Sequence, residues 1–266
     1  MKRTMDILEE LSALRRADAE EQAKTVSAAE LERRIAAMAP ARDFCAAFAG
    51  EGLHVIAELK RASPSEGLIR PDFDPVAIAR AYAENGAAAM SVLCEPHRFL
   101  GGEAYLKAVR QTVETPLLDK DFLTTPYQVL NARAAGADAC LLIAAVLDDA
   151  KLAELLGLAH DVGLTALVET HTEEEVRRAA GVGAKLMGVN CRDLRTFRTD
   201  PNLTAELVAK IPDGIVKIGE SGLKTREDLL KVRAAGADGF LIGTTLMRAP
   251  RPGEKLRELG VGKLGS

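Results

Sequence analysis

The chain has 266 residues, of which 47% are hydrophobic and 28% charged, with 35 Lys and Arg against 39 Asp and Glu. That length and balance fit a globular protein with ample core, as one large domain or two small ones, and the net charge of −4 argues against bulk attraction to nucleic acid or an anionic membrane. Aromatic residues are only 4% and Trp is absent, so Ala, Leu, Val and Ile must build the core.

The chain opens on a helical pattern. Ile7, Leu8, Leu11 and Leu14 recur at helical spacing with acids and bases between them. Ser27 followed by Glu30 matches a capping box ahead of Leu31 and Ile35, and Pro40 ends that second helix. Met1-Lys2-Arg3-Thr4 leads into this pattern without an apolar signal core, and no run of about 18 apolar residues follows. The expectation is a cytoplasmic protein without a membrane segment. Cys45, Cys94, Cys140 and Cys191 contain no C-x-x-C pair, and the last three lie in apolar runs, so neither a metal site nor a disulfide framework is expected.

From Val55 a second rhythm begins. Short apolar runs fall at 55–60, 89–94, 116–123, 139–146, 164–169, 186–191, 214–219 and 239–243, eight in all. The amphipathic segments between them often close on glycine just before the next run, at Asn85-Gly86, Ala135-Gly136, Val162-Gly163 and Ala235-Gly236. One unit is literally repeated: Arg133-Ala134-Ala135-Gly136-Ala137-Asp138 returns as Arg233-Ala234-Ala235-Gly236-Ala237-Asp238, each time ahead of an apolar run. Alternating strands and helices imply parallel pairing with right-handed crossovers, and eight such units fit an α/β fold, a (β/α)8 TIM barrel with an N-terminal helical extension. A doubly wound sheet is the rival, but no glycine fingerprint follows the first strand. Residues 1–45 are expected to form the extension and 46–266 the barrel, together one domain.

Such a barrel places its site at the C-terminal ends of the strands. There the first strand presents Glu58 and Lys60, two positions apart and so on one face; the third carries Lys120, the fifth ends in Glu169, the sixth runs into Asn190 and Arg192, and the seventh ends in Glu220-Ser221-Gly222. Five of eight strand ends thus offer an ionisable group. Any one of these alone suits a structural ion pair as well as a site, but buried strands are not where solvated charges usually sit. Ser221-Gly222 and Gly243-Thr244 are small turns leading into helices, a place where barrels hold a phosphate. No Walker motif or G-x-G-x-x-G is present. His54, His97, His160 and His171 lack ligand spacing; His97 and His171 are within reach of the mouth but read as surface loop residues.

The chain resembles the indole-3-glycerol phosphate synthase family. The resemblance rests on Ile56-Ala57-Glu58-Leu59-Lys60 with Ser63-Pro64-Ser65, on Phe99-Leu100-Gly101-Gly102, and on Leu118-Asp119-Lys120-Asp121-Phe122 with Tyr127-Gln128. It continues through Leu167-Val168-Glu169, Gly188-Val189-Asn190-Cys191-Arg192-Asp193-Leu194 with Phe197, Gly219-Glu220-Ser221-Gly222 and Leu241-Ile242-Gly243-Thr244. These segments stand in family order over residues 44–248; the last two are shared with other phosphate-binding barrels.

The resemblance implies ring closure of 1-(2-carboxyphenylamino)-1-deoxyribulose 5-phosphate to indole-3-glycerol phosphate in tryptophan biosynthesis, with no cofactor and no metal. It implies Lys120 as the acid of ring closure, Glu169 and Lys60 as a second proton relay, and Glu58 orienting Lys60. Asn190 and Glu220 would shape the substrate and Arg192 would meet its carboxylate. Ser221, Gly222, Gly243 and Thr244 would form the phosphate cradle, with Ser63 nearby, and Leu241 would be a further substrate-binding residue. A lysine buried among other cations would have a lowered pKa suited to such an acid. Asp119 and Cys191 depart from the family pattern, and alternation would turn Asp119 away from the barrel interior. The expected partner is a phosphorylated small molecule, with the chain a monomer or, alternatively, a dimer. Another phosphosugar barrel, such as phosphoribosylanthranilate isomerase, and a non-catalytic barrel are the competing readings.

Overall fold

In each of the eight apolar runs successive residues face opposite sides, and the two sides need different company. Even-numbered residues of the first run, Ile56, Glu58 and Lys60, alternate with Val55, Ala57 and Leu59. In the computed structural model, which describes residues 7–191 and 201–261, this alternation separates two apolar clusters. One fills the barrel interior, with Ile56, Ala89, Leu118, Leu141, Leu167, Leu186, Ile218 and Leu241. The other lies between strands and helices and takes Val55, Ala57, Leu59, Met90, Val92, Leu117, Cys140, Val168, Met187 and Phe240.

The strands are β1 (His54–Leu59), β2 (Ala89–Leu93), β3 (Leu117–Lys120), β4 (Ala139–Ile143), β5 (Thr165–Thr170), β6 (Leu186–Asn190), β7 (Val216–Glu220) and β8 (Gly239–Ile242). All pair in parallel and in chain order, and β8 closes on β1 through His54 against Gly239. The expected barrel is thus present. Its third and fourth strands are shorter than the apolar runs. After Lys120 the Asp121 carboxylate accepts the Phe122 N–H at 2.8 Å and pairs with Arg15, which turns the chain out of the sheet. After Ile143 a single tight turn, Ala144–Val146, leads to Asp148, the cap of the next helix. A short antiparallel pair, Ala62–Ser63 with Gly67–Leu68, was not evident in the sequence and stiffens the loop after β1.

The repeat does the same work twice at the base of the barrel. Asp138 accepts the N–H of Leu117, and Asp238 that of Lys217, at 2.9 and 2.8 Å. Arg133 and Arg233 fold back on the carbonyls of Ala137 and Ala237. Each copy therefore ties a helix end to the start of the preceding strand. Beneath the barrel the tight turn Cys45–Phe48 plugs the floor: Phe48 and Phe44 join the interior cluster.

The extension consists of α1 (Ile7–Thr25) and α2 (Ala28–Ala36). Ser27 caps α2 by accepting the Glu30 N–H at 3.2 Å, but the Glu30 carboxylate turns to Arg33 and Arg34 instead of completing a capping box. Helix α1 crosses the mouth. Leu8 and Leu11 join the interior cluster, and Arg15, 5% exposed, grips Asp121 through Nε and Nη2 at 2.6–2.9 Å. Asp18 reaches His97 at 2.8 Å and Glu10 reaches Arg98 at 2.8 Å, so α1 is bound to the loops after β2 and β3. No helix among the described residues is long and apolar enough to cross a membrane.

Candidate active site

Inward-facing residues at the upper ends of the strands have apolar neighbours below and no strand above, so polar side chains there meet one another across the mouth. They line a cavity of about 740 Å³. Its walls include Glu58, Lys60, Ser63, Lys120, Glu169, Asn190, Glu220, Ser221, Gly222, Leu241, Gly243 and Thr244. Twelve of the thirteen residues expected from sequence are therefore brought together; Arg192 lies outside the described residues, as do Asp193, Leu194 and Phe197.

Two charge groups face each other. Lys60 Nζ lies 2.5 Å from Glu58 Oε1. Lys120 Nζ lies 2.6 Å from Glu169 Oε2 and 3.1 Å from Glu220 Oε2. Glu58, Lys60, Glu169 and Glu220 are buried, and the Lys120 side chain is only 11% exposed. Buried charges at this depth persist only by mutual pairing. Asn190 Nδ2 donates to Glu169 Oε1 at 3.1 Å, and Ser221 Oγ donates to Asn190 Oδ1 at 2.6 Å, extending the network to the turn after β7. Glu220 Oε1 has no hydrogen-bond donor among the described residues.

Two glycines make room for this. A Cβ on Gly188 would stand 1.9 Å from Glu220 Oε1, and one on Gly243 would stand 2.0 Å from Glu58 Oε1 and 2.8 Å from Lys60 Nζ. Both positions face the interior, so any side chain would displace a charged group. Ser221 takes φ +54°, a left-handed conformation that costs a non-glycine residue about 1 kcal/mol or more and tends to occur at functional turns. Thr244 Oγ1 is buried without a partner among the described residues.

Neighbours set the ionisation states. Burial alone would lower Lys120, but Glu169, Glu220 and Glu58 outweigh it and hold the ammonium well above its ordinary range. The expectation of a lysine lowered by cations is thus corrected: its nearest partners are carboxylates. Burial pushes Glu169 up, yet Lys120 and His171 bring it below the usual carboxylate range. Burial pushes Glu220 up to about 7, opposed by Lys120 and reinforced by Glu169. Asp119, next to Lys120 in sequence, faces the helices, where burial and Asp121 push it up to about 8; it is not among the groups acting on Lys120.

Several contributors carry no motif of their own. Ile7, Leu8 and Leu11 of α1, with Phe99, Phe122, Leu141 and Ile143, form an apolar wall opposite the charges. Phe99 is presented by a loop wound round Glu95, whose buried carboxylate accepts the N–H groups of His97, Arg98 and Phe99 at 2.6–2.8 Å. His171 is half of a further pair with Glu169, at 3.3 Å from Oε1, and its side chain is only 14% exposed where the sequence suggested a surface loop. The only hint of it was its place two residues beyond Glu169.

A model of the indole-3-glycerol phosphate synthase family matches residues 8–259. Among curated relatives, the chain is 44% identical over 258 residues to indole-3-glycerol phosphate synthase of Acidithiobacillus ferrooxidans, covering 96% of this chain and 98% of that protein. It is 45% identical over 265 residues to the enzyme of that name from Roseiflexus sp., again covering 96% and 98%. Among solved structures, 3-hexulose-6-phosphate synthase from Salmonella typhimurium superposes with a TM-score of 0.63 at 15% identity, over 78% of this chain and 96% of that one. Thiamine phosphate pyrophosphorylase from Pyrococcus furiosus gives 0.60 at 18% identity, over 78% and 94%. These two share the fold.

Proposed function

The chain belongs to the indole-3-glycerol phosphate synthase family, and on that premise we propose how this cavity carries out the family's reaction. The reaction converts 1-(2-carboxyphenylamino)-1-deoxyribulose 5-phosphate to indole-3-glycerol phosphate, a step of tryptophan biosynthesis, with loss of carbon dioxide and water. The phosphate sits against the turns Ser221-Gly222 and Gly243-Thr244, with Ser63 beside them. The aryl ring lies on the apolar wall formed by Leu8, Phe99 and Phe122.

In ring closure the aryl carbon bearing the carboxylate attacks the ketone carbon, and the ketone oxygen takes a proton. Lys120, held protonated by Glu169 and Glu220, gives up that proton only as the oxygen becomes an alkoxide, whose proton affinity exceeds that of the ammonium. The carboxylate then leaves as carbon dioxide and its bonding pair restores the aromatic ring. The new hydroxyl departs as water with a proton from an acid, while the five-membered ring gives one up to a base. Lys60, oriented by Glu58, suits the acid and Glu169, held ionised, suits the base. Glu220 and Asn190 shape the space around them.

The observation that carries this reading is the placement of Lys120 between two carboxylates, across a cavity from Lys60 and Glu58. Lys120→Met should lower kcat by about 10³-fold or more while circular dichroism stays native. Turnover near the wild-type rate, followed by indole fluorescence, would refute the role of Lys120.

A further inference from the structure

His171 follows the last residue of β5. Its predecessor Thr170 points away from the cavity and donates to the Gly188 carbonyl at 3.0 Å. Its successor Thr172 caps the next helix, α3 (Glu173–Gly181), by accepting the Glu175 N–H. Glu175 reaches back in turn: its Oε2 accepts the His171 backbone N–H at 2.7 Å and lies 3.2 Å from ring Nδ1. That second contact fixes the ring and sends Nε2 toward Glu169 Oε1, an ion-pair contact at 3.3 Å that lacks hydrogen-bond geometry.

The cap does not need the imidazole. Glu175 is satisfied by a backbone N–H that any residue but proline would supply. The ring is nevertheless only 14% exposed and lodged between two carboxylates. Charged groups reach this place from three elements: Glu169 from β5, Glu175 from α3 and Lys120 from β3, the last on the far oxygen of Glu169. Arg178 of α3 is turned elsewhere, to the Ala144 and Leu147 carbonyls. Burial alone would push the imidazole down, but Glu169 and Glu175 outweigh it and hold it at about 10.

We propose that His171 is a positioning residue for the ring-forming reaction: pinned by Glu175, its protonated ring holds Glu169 in the orientation and charge state that proton acceptance requires. The inference rests on the reading of Glu169 as the base. Lys120 hydrogen-bonds one oxygen of that carboxylate and Asn190 the other, and the His171 ring faces that second oxygen as an ion pair. When Lys120 gives up its proton during ring closure, His171 is the remaining cation on Glu169.

The test is a set of pH–rate profiles for wild type, His171→Gln, Glu175→Gln and Glu169→Gln. His171→Gln should move the acidic limb of kcat upward by about 1 pH unit, with KM changed less than kcat near neutrality. Glu175→Gln should move it the same way by less. Glu169→Gln should be inactive at every pH. An unshifted limb in His171→Gln, or a uniform loss at all pH values with a lowered Tm, overturns the proposal and leaves the role of Glu169 standing. Turnover by Glu169→Gln overturns the reading beneath it. Should His171→Gln fail to fold, imidazole NMR of the wild-type protein decides: a ring titrating well above its ordinary range supports the proposal, and one titrating at about 6.5 overturns it.

Discussion

At the base of the barrel, Asp138 is buried like the charges at the mouth, yet its company differs. It is 2% exposed and accepts the N–H of Leu117 at 2.9 Å, the N–H of Arg42 at 2.8 Å and the Arg110 guanidinium at 2.6 Å. At the mouth, Lys120, Glu169 and Glu220 are neutralised chiefly by one another, and Glu220 Oε1 has no donor among the described residues. Equal burial therefore marks two roles. A carboxylate whose lone pairs are taken by backbone on both sides is a rivet, and moving it would cost stability. Charges that share protons across a cavity can exchange them with a ligand.

The comparison breaks most sharply if Asp138 proves dispensable. Asp138→Ala strands two backbone donors and Arg110, and should lower unfolding free energy by about 3–5 kcal/mol in urea titration, with kcat of the folded protein unchanged. At the mouth the loss should fall on activity instead. Gly243→Ala thrusts a methyl into Glu58 and Lys60 and should reduce kcat/KM by about 10²-fold with little change in Tm, because those side chains can swing into the cavity.

Asp119 tests a third case, a buried acid neither riveted nor at the cavity. Its folded-state pKa of about 8 lies above the unfolded value of about 3.9. The native state thus keeps a proton that the unfolded chain releases, and stability falls as pH rises from about 4 to about 8. Asp119→Asn should remove that decline and be about 1–3 kcal/mol more stable at pH 8, with the two proteins converging near pH 4. A variant no more stable than wild type at pH 8 would mean that Asp119 is ionised at no cost. The smallest effect belongs to the second copy of the repeat. Asp238 is 40% exposed at its side chain and accepts the Lys217 N–H, so Asp238→Ala should cost about 1 kcal/mol, well below Asp138→Ala.

Much of this was legible along the chain. Eight apolar runs announced eight strands, and alternation within them announced which side chains enter the barrel: Glu58 and Lys60 inward, Asp119 outward. The repeated Arg-Ala-Ala-Gly-Ala-Asp unit marked two like joints at the base. The runs overstated β3 and β4, because an apolar residue just past a strand is as well buried as one inside it. The resemblance to the family located Lys120 and Glu169, but not the partners that set their charge.

What the sequence determined by itself is the order of the elements and the face each side chain takes, since hydrophobic periodicity acts between residues a few positions apart. Only the tertiary structure decided ionisation. Arg15 meets Asp121 across 106 positions, and Lys120 meets Glu220 across 100. Lys120 proved to stand between carboxylates where cations were expected, and His171, read as a loop residue, lies between Glu169 and Glu175. Coulomb interactions depend on distance through space and on excluded water, and both arise when the eighth strand closes on the first.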